Sequence, residues 1–238
     1  MTRPLENKIA LVTGASRGIG RAVAVALGAA GAHVIITART VGGLEETDDA
    51  IVKAGGSATL VPFSLKDGDG IDRLGGQIFE RWGRLDALVG NAGILGALTP
   101  MAHVEPKLFA ELIEVNLTAN YRLIRSMDPL LRQSDAGRAV FVTSGAAHKA
   151  TPFWGGYAVT KAALEMMAQT YAAESAGGKV RVNLFNPGAT RTIMRKKAMP
   201  GEDPATLKTP DDVAPQIVAL LSPSCDLNGQ TVSYQPQR

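Results

Sequence analysis

Tyr157 and Lys161 lie four residues apart in the run YAVTK, with Ser144 upstream at the end of VFVTSG. Four residues is just over one helical turn, so phenol and ammonium project from one helix face, where the cation favours the phenolate. An unperturbed tyrosine titrates at about 10, too high to exchange protons in both directions at neutral pH, so a lysine that lowers this value makes the phenol an acid/base catalyst. Ser144 would donate a hydrogen bond to an oxygen on which negative charge develops. Near the N-terminus, TGASRGIG at residues 13–20 spaces its glycines as G-x-x-x-G-x-G. Gly14 permits a tight turn. Gly18 and Gly20 remove side chains where backbone must approach a phosphate and where a helix packs on a sheet, and Ser16 adds a hydroxyl donor. Such a loop opening a helix is a site for a dinucleotide pyrophosphate. A dinucleotide beside a proton donor implies hydride chemistry.

The elements that must position these residues follow from the hydropathy pattern. Short apolar or β-branched runs at 9–12, 33–37, 58–62, 85–89, 139–143, 180–185 and 231–234 read as strands. Between them, helical periodicity covers 18–30, 42–54, 70–82, 106–131, 156–174 and 210–221. The helix after the glycine loop has an apolar face of Ile19, Val23, Ala26 and Leu27. Strands alternating with helices predict a doubly wound (Rossmann) α/β/α domain with a seven-stranded parallel sheet, spanning 1–238 as one unit. Right-handed crossovers place ligands at the carboxyl ends of the strands, where the glycine loop, the end of the fourth strand, Ser144 and the segment 186–192 converge. Substrate specificity belongs to the loops at 94–104, 146–155 and 193–209, which are mostly apolar. Phe153, Trp154, Met194 and Met199 are candidates for a hydrophobic slot, with packing against the core or a neighbouring subunit as the alternative. The run Arg195-Lys196-Lys197 reads as a solvated charge cluster.

Composition narrows the function classes. With 45% hydrophobic and 20% charged residues and a net charge of +3, the chain reads as an ordinary soluble protein whose scattered basic residues do not suit nucleic acid. The polar opening MTRPLENK leads straight into a strand, and no stretch is long enough to span a bilayer, so no membrane role and a cytoplasmic location are expected. Cys225 is alone, and His33, His103 and His148 have no metal-ligand spacing.

These motifs resemble the short-chain dehydrogenase/reductase family, whose glycine motif is T-G-x-x-x-G-x-G and whose catalytic set is Asn, Ser, Tyr and Lys; the likeness extends over nearly the whole chain. The resemblance implies a cofactor loop of Gly14, Ser16, Arg17, Gly18, Ile19 and Gly20. It implies that Asn116, in EVNLTAN, disturbs a long helix and anchors a water linking Lys161 to solvent. It further implies that Lys161 holds the nicotinamide ribose hydroxyls. Asn91-Ala92-Gly93 resembles the N-A-G segment that lines the cofactor and stabilises the sheet, with Gly90 replacing a frequent asparagine. Pro187-Gly188, with Thr190 and Thr192 beyond, matches the P-G-x-x-x-T segment that orients the nicotinamide in relatives. Ser64 stands where an aspartate commonly reads the adenine. NAD-preferring members carry an acid where this chain has Ala38, while Arg39 and Arg17 are placed to hold a 2′-phosphate, so NADP(H) is favoured and NAD(H) is the alternative. The expected activity is carbonyl–alcohol interconversion on a small or medium apolar substrate by a homodimer or homotetramer. The rival readings are NAD-dependent alcohol oxidation and a low-turnover nucleotide-sensing protein. The ending GQTVSYQPQR lacks the V-D-G-G of many relatives, which counts against a carrier-protein reductase.

Overall fold

The structure, a computed structural model, describes residues 3–236. Seven strands form one sheet in the order β3-β2-β1-β4-β5-β6-β7, every neighbouring pair parallel. They are β1 (Ile9–Thr13), β2 (His33–Ala38), β3 (Ser57–Pro62), β4 (Ala87–Gly90), β5 (Arg138–Val142), β6 (Arg181–Asn186) and β7 (Thr231–Ser233). The inner strands are largely apolar because both sheet faces are covered. Ala10, Val12, Val34 and Ile36 pack on one side under α1 (Gly18–Ala29), α2 (Val41–Lys53) and α8 (Pro210–Leu220). Leu11, Ile35, Leu88 and Phe141 pack on the other under α3 (Gly68–Trp82), α5 (Ala119–Gln133) and α6 (Gly155–Glu174). The expected doubly wound, seven-stranded parallel sheet is therefore the observed one.

Two stretches differ from the sequence expectation. The helix foreseen over 106–131 is α4 (Pro106–Ile113), a single π turn at Glu114–Thr118, and α5. The π turn centres on Asn116, the residue expected to disturb the helix. The segment 193–209, read as a loop, opens with a short helix, α7 (Ile193–Ala198), whose N-cap is Thr192, its hydroxyl oxygen accepting from Arg195 N at 3.1 Å. Among the described residues no helix is long and apolar enough to cross a membrane.

At the end of the sheet away from the glycine loop, Asp86 is 4% exposed. It accepts from Ile9 N at 2.8 Å and from the Ser134 hydroxyl at 2.6 Å, and pairs with Arg84 at 3.2 Å and Lys8 at 3.5 Å. Asp86→Ala strands these donors, so it should cost about 2–4 kcal/mol in urea unfolding while leaving cofactor affinity unchanged. A loss under about 0.5 kcal/mol would show that the cluster contributes little.

Candidate active site

The carboxyl ends of the strands open into a cleft of about 700 Å³ that takes in both the glycine loop and the Tyr157 region. Its floor is stitched between β1 and β4. The Thr13 hydroxyl donates to Val89 O at 3.2 Å and accepts from Asn91 N at 3.0 Å and Ala92 N at 3.1 Å. Asn91 Nδ2 donates to Thr13 O at 2.9 Å, tying the N-A-G segment to the glycine loop. Gly14 and Gly18 both lie in the left-handed region, at φ +65° and +58°. A Cβ on Gly20 would stand 2.3 Å from Gly14 O, so the loop closes this tightly only with glycine there. α1 begins without a side-chain cap, leaving its first N–H donors to whatever lies over the loop.

Among the described residues no aspartate or glutamate lines the cleft, whereas Arg17, Arg39, Lys66, Lys161, Arg191, Arg195 and Lys197 do. Two of these cations are neutralised: Lys66 pairs with Glu111 at 2.6 Å, and Arg195 forms a two-pronged pair with Glu202 at 2.6 Å. Among the described residues Arg17 and Arg39 have no carboxylate partner, and both are exposed beside Ser16, Ala38 and Thr40. The cradle and its charge fit a dinucleotide carrying an extra phosphate. Ser64 lines the same end, its hydroxyl oxygen accepting from Lys66 N at 3.3 Å.

Asn116 is fully buried, and its side chain is a pin. Oδ1 accepts from Ile94 N at 2.8 Å, and Nδ2 donates to Ile94 O at 2.9 Å and to Thr160 Oγ1 at 3.0 Å. It thus fastens the loop after β4 to α6, one residue from Lys161. Its carbonyl accepts from Asn120 Nδ2 at 2.9 Å, which uses one of two lone pairs. Ser144 follows β5 by two residues and its oxygen caps a 3₁₀ turn at Gly145–Ala147, accepting from Ala146 N at 3.2 Å. Tyr157 lies on the first turn of α6, in edge contact with Trp154 at 6.2 Å between ring centroids, and lines the cleft together with Ser144. Lys161 Nζ donates to Val142 O at 2.8 Å and sits 5.8 Å from the Tyr157 ring centre.

The lowering expected of the Tyr157 phenol comes from Lys161 and an oxidised nicotinamide together; in the chain by itself burial pushes Tyr157 up to about 12, the Ser144 hydroxyl opposing only part of that. Burial likewise pushes Lys161 down to about 8, with the Glu165 carboxylate acting the other way. Removing each charge from water outweighs its neighbours here, because Lys161 is turned onto a backbone carbonyl rather than onto the phenol.

At the substrate end, Tyr157 packs with Leu95 and Ala198, and Leu98, Ala146, Trp154 and Met194 close around them. Trp154 and Met194 therefore belong to the apolar slot. Phe153 and Met199 do not line the cleft and are 56% and 42% exposed. Phe153 instead links two loops, its carbonyl accepting from Thr99 N at 3.0 Å with φ at +73°. Pro187, Gly188, Thr190 and Thr192 all border the cleft, but the Thr190 hydroxyl points to Pro187 O at 3.2 Å and the Thr192 oxygen caps α7. Sequence reasoning missed Thr143 and Glu165 and considered His148 only as a metal ligand. The available signal was the spacing of Glu165, an acid one helical turn past Lys161 and so on the same face of α6.

Comparison with known proteins agrees with this architecture. The family model described as short chain dehydrogenase matches residues 8–203. The chain is 37% identical over 238 residues to the uncharacterized oxidoreductase YciK of Escherichia coli K12, covering 98% of this chain and 94% of that one. Among solved structures, a short chain dehydrogenase from E. coli CFT073 complexed with NADPH superposes with TM-score 0.94 at 37% identity, over 99% of this chain and 100% of that one. A counterpart from Shigella flexneri 2a complexed with NADP gives TM-score 0.94 at 36% identity, with the same coverage.

Proposed function

The chain belongs to the short-chain dehydrogenase family, and on that premise we propose that it is an NADP(H)-dependent oxidoreductase interconverting a carbonyl and a secondary alcohol, with Tyr157 as general acid and base. The observation that carries the reading is the shared cleft: Ser144, Tyr157 and Lys161 at one end, a glycine cradle and two unpaired arginines at the other, and no acid between them. The two relatives complexed with NADP and NADPH support the cofactor.

Bound NADPH would supply hydride from carbon four of its nicotinamide. This chain's residues do the rest. Gly14, Gly18, Ile19 and Gly20 present backbone to the pyrophosphate, Ser16, Arg17 and Arg39 hold the 2′-phosphate, and Ser64 borders the adenine. Asn91, Ala92, Gly93, Pro187, Gly188, Thr190 and Thr192 wall the nicotinamide half. Ser144 donates to the substrate oxygen as charge develops there, and Tyr157 gives it a proton. Lys161 holds the ribose hydroxyls and restores the phenol's proton, with Asn116 anchoring the linking water. The slot of Leu95, Trp154 and Met194 receives an apolar substrate body. The setting assumed is a single cytoplasmic domain. Exposed apolar residues on α5 and α6, Tyr121 (53%), Val159 (44%) and Met166 (65%), support pairing of these helices across subunits in a homodimer or homotetramer.

Mixing the protein with NADPH and a panel of ketones, aldehydes and 3-oxoacyl thioesters should consume the cofactor's near-ultraviolet absorbance. Tight NADPH binding without turnover anywhere on the panel would instead favour a nucleotide-sensing role.

The pH dependence has a definite sign. A phenol held at about 12 stays protonated at neutral pH and is ready to donate, whereas Lys161, held at about 8, loses its charge above that point. The turnover number for reduction should therefore be level below pH of about 8 and fall above it. A reduction rate that climbs through this range would contradict the assignment of Lys161 as a cation at work.

A further inference from the structure

Glu165 is a buried carboxylate that the proposed reaction does not use. It sits on α6 one turn beyond Lys161 and is 4% exposed. One of its oxygens, Oε1, accepts from the Thr143 hydroxyl at 2.6 Å, and the other, Oε2, lies 2.7 Å from His148 Nε2. Thr143 immediately precedes Ser144. His148 closes the 3₁₀ turn that follows it, donating its backbone N–H to Gly145 O at 3.3 Å. A single carboxylate thus grips the chain on both sides of Ser144, and does so from the helix that carries Tyr157 and Lys161.

We propose that Glu165 is a positioning residue that holds Ser144 in register with Tyr157, with His148 strapping the first turn of the substrate loop onto α6. A buried carboxylate is costly to keep unless donors satisfy it, and these two satisfy one oxygen each. Thr143 is itself buried, so its bond fixes the end of β5. The His148 side chain is 62% exposed, so its bond is the one that solvent can compete for. The arrangement fixes the loop at its root, five residues before Phe153, whose carbonyl accepts from Thr99 N at 3.0 Å. A hydrogen-bond donor to a developing oxyanion acts only when it is aimed beforehand, and small displacements of such a group are expensive.

The inference rests on Ser144 as the donor to substrate oxygen, so the test has one arm that needs no turnover. Hydrogen–deuterium exchange is measured on the full chain for wild type, Glu165→Ala, Glu165→Gln, His148→Ala and His148→Gln. In parallel, kcat, KM and the NADPH dissociation constant are measured with whichever carbonyl compound of the panel the wild type reduces. In Glu165→Ala, exchange should rise across residues 143–150 and not across the rest of the sheet, and kcat should fall by about tenfold with NADPH affinity within about twofold. His148→Ala should give a smaller effect of the same pattern. Glu165→Gln, whose oxygen still accepts from Thr143 and whose amide meets the other ring tautomer, should recover most of the loss, as should His148→Gln over His148→Ala. Exchange and kcat unchanged in Glu165→Ala would overturn the proposal. So would a loss of kcat that follows NADPH affinity and exchange across the whole fold, with no rescue by the conservative variants. If Glu165→Ala does not fold, His148→Ala against His148→Gln carries the comparison. If the wild type reduces nothing on the panel, the functional reading fails while the exchange arm still decides whether Glu165 holds this turn.

Discussion

Tyr157→Phe should lower kcat for carbonyl reduction by about a thousandfold while NADPH affinity stays within about twofold. The ring remains wedged among Leu95, Ala198 and Trp154, so the cleft keeps its shape and only the proton donor goes. The loss is large because nothing else nearby can replace that donor. Ser144 can share its hydrogen with a substrate oxygen but has no means of giving it up, and Lys161 points at Val142 O. Stopped-flow or steady-state loss of NADPH absorbance measures the first quantity and fluorescence titration the second. Activity within about tenfold of wild type would remove Tyr157 from the proton-donor role.

The second large effect concerns the cofactor. Arg17→Ala combined with Arg39→Ala should weaken NADPH binding by about a hundredfold and leave NADH binding within about twofold. Both guanidinium groups are exposed and unpaired at the mouth of the cleft, and Ala38 offers no acid to grip a ribose 2′-hydroxyl, so the two charges are what separates the phosphorylated cofactor from the plain one. Their exposure also makes the effect dependent on salt, shrinking as ionic strength rises. Each single substitution should cost roughly tenfold. A preference for NADPH over NADH that survives the double change would defeat the 2′-phosphate argument and leave NAD-dependent alcohol oxidation as the better reading.

Much of this was legible in the sequence because its causes are local. Gly14, Gly18 and Gly20 are set by sterics within one loop, as the contact a Cβ on Gly20 would make with Gly14 O illustrates. The inner strands announce themselves by short, largely apolar runs, since burial on two faces leaves no alternation. The Tyr157–Lys161 spacing is a property of one helix. What escaped depends on neighbours far along the chain. α7 is six residues long, too short for periodicity to reveal, and its cap occupies the Thr192 hydroxyl that the motif suggested for the cofactor. The burial of Tyr157 is imposed partly by Leu95 and Ala198, brought in from the loop after β4 and from α7, so nothing within α6 reveals it. Glu165 gains its partners only in the fold, where β5 and the turn after it deliver Thr143 and His148 to its two oxygens.

The central claim is that hydride passes from a bound nicotinamide to a carbonyl carbon while Tyr157 protonates the oxygen. Supplying NADPH deuterated at the transferable position of carbon four, together with a reducible ketone, and recording the alcohol by mass spectrometry tests this most directly. The account predicts one deuterium on the carbinol carbon of each alcohol formed, with label transfer and alcohol both lost in Tyr157→Phe. Alcohol formed without label, or formed equally well by Tyr157→Phe, would contradict it.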